Sequence, residues 1–264
     1  MSGFSSQWLA LREPVDHAAR SEEVISAVAH YFLNDPNLTI TDIGSGTGST
    51  LRALKPLLHQ DISWHLIDHD ETLIDVARSE AQNDEVVFSL ADLSKSLDEL
   101  FLHNPKLLTT SAFLDLVSET WLHKFVDTVT AHQVPFYAAL TYDGRAGCDP
   151  ETIDDKIVLE AFNQHQKTDK GFGPALGPDA ADTAISMFKK AGYQVVQAQS
   201  DWIGDQNHKE FQKMLLEGWR SAATEIAPEN SEQFSAWLQE RLHLIENENA
   251  TVFVGHQDFL AVPE

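Results

Sequence analysis

A run of alternating glycines between a strand-like and a helix-like segment narrows the folds open to this chain more than any other part of it. Leu38-Thr39-Ile40-Thr41-Asp42-Ile43 alternates in polarity and is rich in β-branched residues, as a pleated strand requires. It runs directly into Gly44-Ser45-Gly46-Thr47-Gly48, and Ser49–Leu54 then reads as a helix before Pro56. Three alternating glycines are more than a simple turn needs. They permit positive φ and leave bare backbone where a ligand can approach. A helix starting at the same place turns its positive end toward a negative group lodged there.

The alternation of strand and helix continues. Ile62–Asp68 reads as a second strand and Glu71–Gln82 as its helix, with Asp70 as N-cap. Val86–Ala91, ending at Asp92, is a third strand. Lys106–Phe113 is a fourth, followed by a helix over Glu119–Ala131, and Val134–Thr141 is a fifth. Tyr193–Ala198 and Ala250–Val262 supply the last two. The pattern predicts an α/β fold: a doubly wound, mostly parallel seven-stranded sheet with helices on both faces. Helical spacing from Trp8 to Leu33 adds an N-terminal helical segment, and Ala180–Ala191 is a core helix. Outside that minimal plan lie a helix over Asp149–Thr168 with the loop Gly171–Pro178, and two amphipathic helices over His208–Ile226 and Ser231–Glu246. One domain over 1–264 is expected, with N-terminal helices in 1–37, the glycine-loop half in 38–144, and helical insertions at 145–180 and 205–249 forming a lid over the strand ends.

Composition removes several function classes. With 18 Lys+Arg against 41 Asp+Glu, the formal net charge of −23 repels a polyanion, so no nucleic-acid partner is expected. The 42% of hydrophobic residues, spread along the chain, speaks for a folded protein rather than a disordered acidic one. One cysteine cannot form an internal disulfide, and Met1–Ser6 lacks the basic and apolar regions of a signal peptide, which makes the cytoplasm the expected compartment. No uncharged apolar run approaches the roughly 18 residues of a membrane span, so no membrane partner is expected. The histidines are scattered without a metal-ligand spacing, and no metal is expected. Nothing in the sequence speaks to oligomeric state.

In a doubly wound sheet a ligand lies beyond the carboxyl ends of the strands. Asp68 follows strand two, where its carboxylate can accept from both hydroxyls of a ribose. Asp92 follows strand three, poised to accept from an exocyclic amine on a base. A nicotinamide dehydrogenase shares the glycine loop and Asp68, but its G-x-G-x-x-G pattern requires a third glycine where this chain has Ser49. The spacing present, Asp42-x-Gly44-x-Gly46-x-Gly48, together with Asp68 and Asp92-Leu93, resembles class I S-adenosylmethionine-dependent methyltransferases of the small-molecule type, over about Ile40–Thr141. That resemblance implies S-adenosylmethionine as cofactor. It assigns Gly44, Ser45 and Gly46 to the methionine portion, Asp68 with His69 to the ribose, and Asp92 with Leu93 to the adenine, with Asp42 helping to place the cofactor amine. Arg20 either reaches the methionine carboxylate or is a solvated helix charge. Capping is the competing role for Asp68 and Asp92, although Asp70 suits the helix after strand two better.

Methyl transfer is an in-line displacement at a carbon already activated by a sulfonium. Positioning and desolvation supply much of the rate, and a base is required only where the acceptor must lose a proton. On the added helix, Ile157, Val158, Ala161 and Phe162 form an apolar arc that takes in His165, which is a candidate base or acceptor-holding group, or else a satisfied core histidine. Asp143, a second candidate catalyst, and the candidate substrate contacts Tyr142 and Asp115 lie just beyond strands five and four. Asp115 is alternatively a cap. Arg241 falls within the apolar stripe Phe234, Trp237, Leu238, Leu242 and Ile245, where it either snorkels outward or pairs with an anionic acceptor. Strand four ends in Ser111-Ala112-Phe113-Leu114-Asp115-Leu116, unlike the Asn/Asp-Pro-Pro-aromatic signature of base-amine methyltransferases, and Cys148, followed by Asp149-Pro150, does not resemble the nucleophile of cytosine C5 enzymes. Transfer of methyl to a small molecule is therefore expected ahead of a protein or nucleic-acid acceptor, or of a noncatalytic cofactor-binding protein.

Overall fold

The computed structural model describes residues 5–58, 61–81 and 85–264. Two helices come first, α1 (Ser6–Ala19) and α2 (Glu22–Tyr31), each begun by a serine, Ser5 and Ser21, whose hydroxyl accepts from a backbone N–H three residues on. Then follow β1 (Asn37–Ile43), α3 (Ser49–Leu54), β2 (Asp61–Asp68), α4 (Glu71–Glu80), β3 (Val86–Leu90), β4 (Leu107–Ser111), α5 (Glu119–Ala131) and β5 (Phe136–Asp149). These strands pair in the order β3-β2-β1-β4-β5, all parallel. The second half contains α6 (Asp155–Gln166), α7 (Ala180–Lys190), β6 (Tyr193–Gln199), β7 (Trp202–Gly204), α8 (Lys209–Ile226), α9 (Ser231–Asn247) and β8 (Thr251–Pro263). β8 lies antiparallel between β5 and β6, so the main path has the seven strands expected. Gln82, the expected end of α4, and Met1–Phe4 of the leader reading lie outside the described residues.

Two features depart from the sequence expectation. An eighth strand, the three-residue β7, pairs with β8 and is too short to leave a periodic signal. β5 does not end near Thr141: register shifts after Ala138 and after Tyr142 let it continue, paired to β8, as far as Asp149. Asp143-Gly144-Arg145 looks like a turn by composition, but bulges absorb it. Residues 145–149 are therefore strand, and the first insertion begins later than expected.

Alternation places successive strand residues on opposite faces. Ile43, Ile67, Leu108, Phe136, Ala138 and Phe259 face a core completed by α5 and α7. Leu38, Ile40, Leu66, Leu107, Tyr137 and Leu260 face the other, to which α1, α2, α8 and α9 contribute. The terminal helices are held by packing rather than by capping alone, since Val24 and Val28 are fully buried. Trp8 of α1 stacks on Phe211 of α8 with ring centroids 5.6 Å apart, so the N-terminal segment and the second insertion meet.

One buried ion pair ties the insertions together. Arg241 of α9, only 1% exposed, donates through Nε to Asp155 Oδ1 (2.9 Å), through Nη2 to Asp155 Oδ2, and through Nη1 to the Pro150 carbonyl (2.6 Å). Trp237 Nε1 donates to the same Asp155 oxygen (2.7 Å). Arg241 therefore neither snorkels nor meets an acceptor, because its guanidinium is spent on Asp155 at the start of α6 and on the segment just before it. Its position in an apolar stripe reflects this buried partner, which lies 86 residues away in sequence.

Breaking such a pair leaves a buried charge uncompensated. Arg241→Met should lower the unfolding free energy by about 3–5 kcal/mol, read as a fall in the urea midpoint at unchanged slope. Adding Asp155→Leu should recover much of the loss, whereas equal midpoints for Arg241→Met and wild type would contradict the clamp.

Candidate functional site

A cavity of about 400 Å³ opens beyond the carboxyl ends of β1 to β4. The glycine loop, Asp68–Asp70, Ala91–Leu93 and Ser111–Phe113 wall it on the sheet side; α1, the loop after α6 and Glu225 of α8 close it from above. Gly44 has φ +63°, and a Cβ there would stand 2.7 Å from the Phe113 ring, so no other residue fits without displacing that ring. The loop amides, expected to point at a ligand, instead fix the loop. Ser45 N–H donates to the Ile67 carbonyl (3.0 Å), Gly48 N–H to the Ser45 carbonyl (2.9 Å), and Gly46 N–H to Asp68 Oδ2 (2.8 Å). α3 has six residues, so its dipole is a slight contributor. What the glycines supply is access.

Asp68 stands at the tip of β2 on the cavity wall, buried, with Oδ1 accepting from Asp70 N–H at 2.9 Å. Burial works to raise its carboxyl, but hydrogen bonds from His69, Asp70 and Gly46 outweigh it and hold the group below the ordinary carboxylate range. A carboxylate offers about four acceptor directions, so these three bonds still leave room for a hydroxyl. His69, more than half exposed, also lines the cavity, and its contact with Asp68 raises its pKa. Asp92 lines the cavity too, but it also caps a turn: Ser94 N–H (3.0 Å) donates to Oδ1 and Lys95 Nζ lies 2.8 Å from Oδ2. The Lys95 ammonium, with Ser94, holds it at about 2. Leu93 is buried on the wall, its carbonyl accepting from Trp121 Nε1 at 2.7 Å.

α1 brings a group that the sequence reading overlooked. Asp16 is buried on the cavity wall, and its Oδ1 has no hydrogen-bond partner, as is also true of Ser45 Oγ across the loop. Arg12 Nε stands 3.1 Å from the other Asp16 oxygen. Arg20 is buried, as a solvated helix charge would not be, but it is not itself on the wall. It donates to Ser111 Oγ (3.1 Å) and Tyr137 Oη (3.4 Å), placing it behind Ser111.

The acceptor-side candidates divide. His165 is on the cavity wall, mostly buried, with Nε2 3.0 Å from Glu225 Oε2 and Nδ1 3.1 Å from Lys170 Nζ. The arc that led to it holds for Val158 and Ala161, whereas Ile157 is exposed. Asp143 is not in the cavity: it pairs with Arg145 (2.8 Å to Nε), which in turn bonds Asp201. The bulged extension of β5 turns it toward that surface pair, and a catalytic role is withdrawn. Tyr142 lies behind the wall, donating to Asn163 Oδ1 at 2.7 Å, and burial raises its pKa. Asp115 is buried behind the wall with Oδ1 unpartnered, and burial pushes it up to about 6.

No family model and no curated protein matches this chain. Solved structures do. YcgJ from Bacillus subtilis is 14% identical, covering 91% of this chain and 97% of its own, with a TM-score of 0.54. The cyclopropane synthase MmaA2 from Mycobacterium tuberculosis is 15% identical over 98% and 94%, with a TM-score of 0.53. A SAM-dependent methyltransferase from Thiobacillus denitrificans, solved with S-adenosyl-L-homocysteine, is 15% identical over 99% of each chain, with a TM-score of 0.50. The fold is that of the Rossmann-like methyltransferases. Within it the glycine loop and the two acids Asp68 and Asp92 occupy the ends of β1, β2 and β3, as the sequence reading expected.

Asp42 lies beneath this loop rather than in the cavity. It is fully buried, and neither carboxyl oxygen makes a hydrogen bond of good geometry; the nearby Thr50 hydroxyl and Arg20 only partly offset burial, which pushes the group up to about 8. The folded state thus binds this proton more tightly than the unfolded chain, whose carboxyl titrates near 3.8. The stability this contributes is complete below about pH 4 and is lost as pH rises toward 8, on the order of 1.4 kcal/mol per pH unit. Urea unfolding of wild type and Asp42→Asn across pH 4–8 should show the wild type losing stability relative to the variant. Parallel curves would contradict a protonated Asp42.

Proposed function

We propose that this chain is a class I S-adenosylmethionine-dependent methyltransferase acting on a small-molecule acceptor. One observation carries the reading: bare glycine backbone, the Asp68 carboxylate and the orphaned Asp16 oxygen all face one cavity. Those residues fit the cofactor from end to end. Asp68, with its remaining acceptor direction, would take a ribose hydroxyl. Asp92 and the apolar surface of Leu93 would hold the adenine. The amino-acid tail would pass over Gly44–Gly46, its ammonium meeting Asp16 Oδ1 and Ser45 Oγ, which otherwise stay desolvated without a partner. Arg20 supports the carboxylate end indirectly by orienting Ser111.

The bound cofactor supplies a methyl carbon made electrophilic by its sulfonium. The chain's own contribution is to align the acceptor with that carbon and to exclude water. The helical insertions suit this: Phe172, in the loop after α6, packs edge-on against Phe113 with centroids 5.5 Å apart, roofing the cavity. A partly roofed cavity of about 400 Å³ is within the range for small ligands. The acidic charge disfavours a nucleic-acid acceptor. Composition suits a cytoplasmic enzyme.

Isothermal titration should show S-adenosylhomocysteine binding and no comparable binding of NAD; the reverse would overturn the cofactor. Asp68→Ala should weaken the affinity about tenfold or more, through lost charge-assisted hydrogen bonds, and unchanged affinity would displace the ribose from β2. Methyl-labelled cofactor incubated with a metabolite extract should yield a labelled small product. Label appearing only in protein would overturn the substrate class.

A further inference from the structure

The lid carries a hydrogen-bonded chain that the cofactor reading does not use. Lys170 lies in the loop after α6, on the cavity wall. Its Nζ donates to Thr168 Oγ1 at 3.0 Å and meets His165 Nδ1 at 3.1 Å. The Thr168 hydroxyl spends its own hydrogen on the His165 carbonyl (2.8 Å), so toward Lys170 it is an acceptor. His165 Nε2 faces Glu225 Oε2 at 3.0 Å, which fixes the ring hydrogen on Nε2 and leaves Nδ1 to accept. When its amine is neutral, Lys170 has two hydrogens and one lone pair. Both hydrogens have acceptors here, and the lone pair is left for whatever enters the cavity beside Lys170.

Resting on the methyltransferase reading, we propose that Lys170 is the general base, taking the proton released by the acceptor's attacking atom, and that His165 and Glu225 relay that proton to solvent. As the acceptor atom bonds to the methyl carbon, the carbon–sulfur pair withdraws onto sulfur and the acceptor's proton bonds to Lys170 Nζ. A proton then passes from Nζ to His165 Nδ1, the Nε2 proton passes to Glu225 Oε2, and the exposed Glu225 releases it to water. Charge and atoms balance without a further reactant. The acceptor is accordingly of the class whose attacking atom carries both a lone pair and a dissociable proton: a phenol or a thiol.

The surroundings agree. Burial depresses the proton affinity of Lys170, and this outweighs the opposing carboxylates of Glu225 from α8 and Asp115 from the turn after β4. Arg12 of α1 stands beyond Asp115 and offsets part of its charge, and Asp169 is the exposed neighbour in the same loop, held by Gly171 and Gly173 N–H. His165 thus becomes a positioning and relay residue rather than the base.

The test is a lysine ¹⁵Nζ titration by NMR of the full chain, with the Lys170 signal assigned by its loss in Lys170→Arg. Lys170 should titrate below the exposed lysines, and lower still in Glu225→Gln. His165 should show the Nε2–H form, its ring nitrogens shifting over the range in which Lys170 titrates. Titration of Lys170 with the exposed lysines, or a His165 proton on Nδ1, would overturn the relay. In the labelled-metabolite assay Lys170→Met should lose at least tenfold of the label transfer at pH 7 and recover part of it as pH rises. Full transfer by Lys170→Met would also overturn the proposal. S-adenosylhomocysteine affinity of Lys170→Met should stay within twofold of wild type, so a failure of cofactor binding in wild type would count against the cofactor reading alone.

Discussion

The hydrogen bond from Gly46 N–H to the Asp68 carboxylate joins the loop after β1 to the tip of β2 and gives the cavity its floor. Its 2.8 Å length exists because the Gly44–Gly48 backbone takes left-handed turns that residues with a side chain resist. Asp70 N–H fixes the second oxygen of the same carboxylate, so loop, strand tip and the start of α4 form one rigid corner. Because the corner is shaped by its own hydrogen bonds, it is preorganised before a ligand arrives, and little ordering remains to be done on binding.

Around that corner the elements added to the minimal sheet supply what the sheet cannot. α1 brings Asp16 and Arg12 to the cavity and sets Arg20 behind it, and Trp8 locks that helix onto α8. The Arg241–Asp155 pair binds α9 to α6 at one end, while His165 and Glu225 join α6 to α8 at the other. Polar contacts that cross between elements therefore join the helical insertions at both ends. Lys170, His165 and Glu225 bring ionisable groups to the cavity wall beside the apolar Phe172.

Most of this architecture was legible in the sequence because it rests on local periodicity and glycine placement. The strand–glycine–helix unit, the acids at Asp68 and Asp92, and the helices α5, α8 and α9 each leave a pattern within a short window. The errors arise from contacts and burial that a local pattern does not show. Arg241 in an apolar stripe is explained only by Asp155, and Asp143 is taken from the site by Arg145 and Asp201. Asp16 sits in a helix whose apolar spacing looked ordinary, and only the burial of its unpaired oxygen marks it. Lys170 lies in a segment that reads as loop by composition, and nothing local connects it to Glu225, 55 residues on.

The central claim is that a nucleoside with an amino-acid tail lies across the tips of β1, β2 and β3. A crystal structure of the protein with S-adenosylhomocysteine measures this most directly. The account predicts a ribose hydroxyl within hydrogen-bond reach of Asp68, the adenine beside Asp92 and Leu93, and the ligand's ammonium at Asp16. Electron density for the ligand anywhere else, or a carboxylate of Asp68 still engaged only by Gly46 and Asp70 beside an ordered ligand, would contradict it.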